Sequence, residues 1–280
     1  MSVYNLTHKA CFDGFGAAYA CWRKHGENAI YIGCTFDKPF PYDQIEKPYK
    51  DVEIYMTDFS YKRDVIEKAQ PQFKKFIILD HHKTAEAELK GLDYATFDMS
   101  KSGAVLSWEY FHPDTPVPAA LQYVQDRDLW HFKLPNSKEI NACIQSLPYD
   151  FKIWDAFVTS LDDNFDKFVN QGHAINRYMD TLTKTMCENI FYVTIAGTKV
   201  PCTNTSCHWG EVGDYLVKKF PDYPFVAFYT DRPNGTRQWS LRSSDKFDVS
   251  EVAKKLGGGG HAQAAGFIQT VEHNKSIILK

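Results

Sequence analysis

Four short apolar runs punctuate the first hundred residues, at 3–7, 29–34, 52–57 and 76–79. They are rich in Ile, Val and Tyr and bounded by polar or turn residues, the pattern of a strand. Between them lie helical patterns: residues 14–25 set small and aromatic side chains at helical spacing, and 62–70 open polar and stop at Pro71. Strands alternating with helices predict an α/β fold with a doubly wound, mainly parallel sheet and helices on both faces. From about Ser102 to Lys184 the strand signals fade, and 103–111, 119–125, 153–158 and 174–186 read as helices separated by Pro-bearing loops such as 112–118. Strand patterns return at 191–196, 225–229 and 238–242, followed by a helix at 249–256. The change near residue 189 predicts two domains, 1–170 and a smaller α/β domain at 190–280, joined by a helix over 171–189. No internal repeat is visible, and only the four glycines at 257–260 form a low-complexity stretch.

Charge and composition narrow the classes. The 32 Lys and Arg against 35 Asp and Glu leave a net charge of −3, which argues against coating long duplex nucleic acid, where affinity comes largely from neutralising phosphates. A local basic pocket for a small anionic ligand stays open. No run approaches the roughly 20 apolar residues of a membrane-spanning helix, and the start MSVYNLTHKA lacks the charged-then-apolar pattern of a secretory leader. Seven Cys without a C-x-x-C pair fit reduced thiols in a cytoplasmic protein better than a disulfide framework or a structural zinc site.

The sharpest chemical signal is Asp80-His81-His82, directly after the run 76–79. At the carboxyl end of a buried parallel strand, this triplet stands where open α/β sheets place their ligand crevices. Asp58 follows the run 52–57 in the same way, and His8 follows 3–7 with Asp13 five residues on. Asp126-Arg127-Asp128 closes the helical pattern at 119–125. Carboxylates crowded together repel unless positive charge sits among them. Two divalent cations would supply it, and oxygen ligands with a few imidazoles suit manganese, or iron or cobalt, better than structural zinc. Each piece has a plainer use: a lone Asp after a strand can cap the next helix, a His pair can be surface structure, and Asp126 and Asp128 can be solvated charge beside Arg127. The joint placement favours a site.

A second signal is Gly257-Gly258-Gly259-Gly260-His261, followed by Ala262–Gly266. Consecutive glycines let backbone N–H groups approach an anion, and a helix beginning at 262 would add its N-terminal dipole. With His261 next to the run and Arg242 on a preceding strand, an anion pocket is expected; a flexible loop is the alternative.

Five motifs in order (H-x4-D-G, D-F-S, D-H-H, D-R-D-L-W and G-G-G-G-H-x-x-A-A-G) make nearly the whole chain resemble the DHH phosphoesterase superfamily with its DHH-associated C-terminal domain, which includes nanoRNases, RecJ-type exonucleases and cyclic-dinucleotide phosphodiesterases. The resemblance implies an N-terminal domain holding two manganese ions and a smaller C-terminal domain gripping a nucleotide across a cleft. It assigns His8 and Asp58 to one metal, and Asp13, Asp58, His81 and Asp126 to the other, with Asp58 bridging. It implies that His82 contacts the phosphate under attack while Asp80 supports the histidines. Arg242, His261 and the backbone of Gly258, Gly259 and Gly260 would hold the substrate's phosphate or sugar, with Ser102 and Gly103 lining the same cleft. One departure stands out: many members carry an Asp two residues before the D-G pair, where this chain has Cys11, and the spacing from His8 is one residue short. Either Cys11 is a softer ligand for the first metal, or that metal is bound by fewer protein groups and more water, or Cys11 packs in the core.

The expected function is hydrolysis of phosphodiester or phosphomonoester bonds in short oligonucleotides or small nucleotides. An inorganic pyrophosphatase and a non-catalytic nucleotide- or RNA-binding module with a degenerate metal site are the alternatives.

Overall fold

The early apolar runs form strands. In the computed structural model, which describes residues 2–36 and 38–271, the chain divides into two compact units, Met1–Asn176 and Arg177–Lys280. The first opens with β1 (Ser2–His8), α1 (Phe12–His25), β2 (Ala29–Cys34), β3 (Val52–Thr57), α2 (Arg63–Ala69), β4 (Lys75–Asp80), α3 (Lys83–Leu89) and β5 (Ala95–Phe97). Five helices follow: α4 (Gly103–Phe111), α5 (Ala119–Asp128), α6 (Ser137–Ser146), α7 (Phe151–Ser160) and α8 (Phe165–Met186), whose sequence runs past the division at residue 176.

The five strands are parallel in the order β2-β1-β3-β4-β5. Successive side chains point to opposite faces, and each face has its own apolar core. Val3, Tyr55 and Leu79 pack with residues of α1, α4, α5, α6 and α7. Tyr4, Leu6, Ile54, Met56 and Ile78 pack with Ile66 and Ala69 of α2 and Leu89 of α3. This is the doubly wound sheet that the alternating pattern predicts. Its register sets the site: Thr7 opposes Thr57 and Thr57 opposes Leu79. The next residues in each chain direction, His8, Asp58 and Asp80, therefore form one row at the carboxyl ends of three adjacent strands.

The second unit holds β6 (Phe191–Ile195), β7 (Thr198–Asn204), α9 (Trp209–Lys219), β8 (Val226–Asp231), β9 (Thr236–Arg242), α10 (Val249–Lys255), β10 (Gly259–Gly260) and β11 (Ala264–Thr270). These strands make one six-stranded sheet, β10-β11-β9-β8-β7-β6, antiparallel except for β7 with β8. The sequence pattern does not reveal β7, because Pro201 lies within it, paired with Tyr192, and Pro normally argues against an inner strand. Nor does it reveal α9, whose Gly210 and Gly213 weaken the helical signal. The helix expected to begin at 262 is instead a turn leading into β11. The glycine run forms a hairpin strand, with Gly259 opposite Gly266 and Gly260 opposite Ala265. No helix among the described residues is long and apolar enough to cross a membrane.

α1 and α4 approach closely at Gly16, where an added Cβ would lie 2.8 Å from that of Ala104. Overpacking of this kind costs about 1–3 kcal/mol. Gly16→Val is expected to lower stability by that amount, read as a reduced midpoint in urea unfolding; an unchanged midpoint would show that the two helices can part without loss.

Candidate metal centre

The row at the sheet's edge is built by backbone and glycine together. Asp58 follows β3 in the left-handed region, at φ 52°, with its N–H donating to Leu79 O at 2.9 Å. Asp tolerates that region better than most residues, and the turn leaves the carboxylate 1% exposed. Two glycines make room for it. A Cβ at Gly14 would stand 3.1 Å from Asp58 Oδ2, and one at Gly103 would stand 2.4 Å from Asp58 Cβ. Asp13, in the first turn of α1, accepts from the first amides of α4, Gly103 N at 2.6 Å and Ala104 N at 3.0 Å. A helix N-terminus thereby steadies a buried carboxylate.

His81 lies among three carboxylates. Its Nε2 is 3.1 Å from Asp58 Oδ1, 3.4 Å from Asp13 Oδ2 and 3.6 Å from Asp128 Oδ2. The third face of Asp58 turns to His8, whose Nδ1 is 3.8 Å from Oδ2. Asp80 organises both histidines. Its Oδ1 accepts from His81 N at 2.7 Å and pairs with His82 Nδ1 at 2.7 Å, while Ser60 Oγ donates to Oδ2 at 2.6 Å.

The electrostatics of this cluster fit a cation. Burial raises the Asp13 carboxyl well above its usual range, and Asp128 and Asp58 add to the rise. Burial likewise raises Asp128, with Asp58 contributing. Burial would lift Asp58 too, but the His8 and His81 imidazoles outweigh it and hold the group well below the ordinary value. For His81, burial is overcome by the three carboxylates, and the imidazole stays protonated well above its usual range. Cys11 is pushed up by burial and by Asp58, Asp128 and Asp13. Asp58 Oδ2 and Asp128 Oδ2 are buried and accept no hydrogen bond, although buried polar atoms are normally paired. Ligand atoms of Asp13, His81 and Asp128 lie within 4.8 Å of one another, as do those of His8, Cys11 and Asp58. Two buried orphan oxygens beside imidazoles are donors of the type a divalent metal takes.

The structure corrects two expectations in this unit. Asp126 is not in the cluster: its Oδ1 accepts from Lys133 N at 2.9 Å and its Oδ2 from Leu134 N at 3.1 Å, bracing the loop after α5. Asp128 reaches the cluster instead. Two residues apart on a helix turn a side chain by about 200°, so only one of the pair can face the site. The spacing Leu121, Val124, Asp128 points to the second, a signal the motif alone does not weigh. Ser102, expected to line a substrate cleft, is fully buried. It caps α4, with its Oγ accepting from Val105 N at 3.4 Å.

In the second unit Arg242 and the 261–264 turn are neighbours, since Arg242 pairs with Ala264 across β9 and β11. Gly213 of α9 accommodates the Arg242 stem, where an added Cβ would meet Cγ at 2.4 Å. The guanidinium lies over the Phe228 ring at 5.4 Å. Gly258 has no space for a side chain, since a Cβ would stand 1.9 Å from Gly266 O, and Gly260 has φ 136°. These glycines are required by close strand contact as well as by any ligand. Gly259 pairs in the hairpin, and His261 N donates to Ala264 O at 2.8 Å.

Residues 193–280 match the DHHA1 domain. Over 93% of its length the chain is 32% identical to uncharacterized protein R106 of Acanthamoeba polyphaga mimivirus and spans 66% of that relative. It is 23% identical to the oligoribonuclease NrnB of Bacillus subtilis, covering 94% of this chain and 72% of the relative. It is 22% identical to the bifunctional oligoribonuclease and PAP phosphatase NrnA of Mycoplasma genitalium, covering 89% and 77%.

Two outcomes follow from the geometry. Asp128→Asn is expected to weaken divalent-metal binding on the order of 10-fold or more, whereas Asp126→Asn leaves affinity nearly unchanged and lowers stability by about 1 kcal/mol; calorimetric titration and urea unfolding separate them, and the reverse ranking would restore Asp126 to the site. The carboxylates of Asp58, Asp13 and Asp128 raise the proton affinity of His81, so a cation bound at Nε2 competes with a proton. Metal affinity should therefore rise with pH through the neutral range, with net proton release in calorimetry across buffers of different ionisation enthalpy; no release at pH 7 would show His81 already neutral.

Proposed function

Because this chain belongs to the DHH phosphoesterase superfamily with a DHH-associated C-terminal domain, we propose that it is a metal-dependent hydrolase of phosphoester bonds in short oligonucleotides or small nucleotides. The observation that carries this reading is the pair of orphan carboxylate oxygens at the edge of a parallel sheet, Asp58 Oδ2 facing His8 and Asp128 Oδ2 facing His81. Asp13, Asp58, His81 and Asp128 would hold one cation and His8 and Asp58 another, with Asp58 common to both. Manganese is the first candidate for the oxygen-rich position. When bound, such cations supply positive charge at the phosphoryl oxygens and activate water for in-line attack.

The chain's own groups do the rest. His82 is tied through Nδ1 to Asp80 at 2.7 Å, which fixes its ring. Burial lowers its affinity for a proton, but Asp80 outweighs this and raises it. The charged ring would face a nonbridging phosphate oxygen and stabilise the charge that grows there. Asp80 acts through His82 and His81 as a positioning residue. In the second unit, Arg242, His261 and the backbone at Gly258, Gly259 and Gly260 would bind a terminal phosphate or sugar. Net charge of −3 suits a small substrate held by such local groups and not a long duplex. The oligoribonuclease names of the Bacillus and Mycoplasma relatives support the diester reading, and the PAP phosphatase name of the latter supports a monoester activity beside it.

A short RNA dinucleotide is expected to be cleaved with manganese and not with chelator. His82→Ala should reduce kcat on the order of 10²-fold or more, while Arg242→Gln acts mainly on KM. Equal turnover in metal and chelator removes the proposal, and cleavage of pyrophosphate in preference to the dinucleotide replaces it.

A further inference from the structure

The cysteines divide into two kinds. Cys21 and Cys143 lie in one core of the first unit and Cys34 in the other, while Cys202 and Cys187 lie in the cores of the second. Packing explains those five. Cys207 is exposed. Cys11 is half-buried and belongs to none of these cores among the described residues.

Its place in the chain is that of a helix cap. Cys11 precedes α1 with extended backbone, φ −119° and ψ 137°, yet its side chain makes no capping hydrogen bond. Caps favour Ser, Thr, Asp or Asn because their oxygen accepts from the first turn, and sulfur does this poorly. Sulfur is a weak acceptor for the Gly14 amide at such a cap, and none of the apolar cores above includes Cys11 among the described residues. A ligand atom of Cys11 sits within 4.8 Å of ligand atoms on both His8 and Asp58. Asp58 is 1% exposed, and its Oδ2 is one of the buried oxygens without a hydrogen-bond donor. Sulfur, imidazole nitrogen and an unsatisfied carboxylate oxygen converge on one position.

We infer that Cys11 is a thiolate ligand, which makes the His8, Cys11 and Asp58 position selective for a thiophilic divalent cation such as zinc, ferrous iron or cobalt. The inference rests on the metal-dependent reading above but differs from it in kind, because it makes the two positions chemically unequal. Thiolate and imidazole favour those borderline ions, while the position of Asp13, His81 and Asp128 offers two carboxylates beside the shared Asp58 and suits manganese. On binding, a metal–sulfur bond forms, the S–H bond breaks heterolytically and the proton leaves to solvent; nothing is oxidised or reduced.

Cobalt is the probe, since thiolate-to-cobalt charge transfer absorbs in the near ultraviolet and carboxylate or imidazole ligation does not. The full chain titrated with Co²⁺ is expected to show that band, Cys207→Ser to keep it, and Cys11→Ser to lose it while the visible ligand-field bands persist. Those persistent bands show that Cys11→Ser is folded and still binds metal. In competition between Zn²⁺ and Mn²⁺, Cys11→Asp should shift preference toward manganese on the order of 10-fold or more. A spectrum unchanged in Cys11→Ser, or an unchanged preference in Cys11→Asp, overturns the inference even if the protein hydrolyses dinucleotides with manganese. A band that depends on Cys11 in a protein without hydrolase activity upholds it and defeats the proposed function instead.

Discussion

Negative charge concentrated out of water is the constraint around which the first unit is organised. Asp13, Asp58 and Asp80 are each nearly fully buried, and Asp128 joins them from the end of α5. An unpaired buried carboxylate costs several kcal/mol, so a fold that gathers four must answer each one. Asp13 is answered by the amides that begin α4, and Asp80 by Ser60 and both histidine segments. Asp58 is answered in part by His81 and His8, and Asp128 in part by His81. The His81 imidazole, whose proton affinity these carboxylates raise, is the positive charge that the protein can supply for itself. A divalent ion would be a fuller answer to the demand for positive charge that remains at this sheet edge.

The means of gathering them are ordinary features of a parallel sheet used in combination. Register places three strand ends in one row, the left-handed turn at Asp58 bends the chain so that its side chain enters the row, and Gly14 and Gly103 leave the volume it occupies. The chemistry is therefore carried as much by residues without side chains as by those with them.

Much of this was legible in the sequence because strand ends are easy to read. Short apolar runs followed at once by Asp or His located β1, β3 and β4 and, with them, His8, Asp58, Asp80, His81 and His82. Helical phase was harder. The motif around Arg127 offers two carboxylates, and only the turn of α5 against its neighbours shows that Asp126 braces a loop while Asp128 faces His81. Ser102 was legible as a small residue near the site, but not as a buried cap. In the second unit the glycine run suggested a loop before a helix. The same freedom of backbone serves strand-to-strand contact so close that Gly258 admits no methyl group, and local pattern cannot distinguish the two uses.

The double engagement of Asp13 has a further consequence. Its two oxygens hold the opening amides of α4, and one of them also stands 3.4 Å from His81. A single short side chain thus joins the carboxylate cluster to a helix that supplies much of the apolar core. Lengthening it by one methylene, as Glu would, cannot keep both attachments at once. Substitutions at this position will be filtered twice, by folding and by chemistry, and tolerance there should be narrower than at a carboxylate answering to either alone.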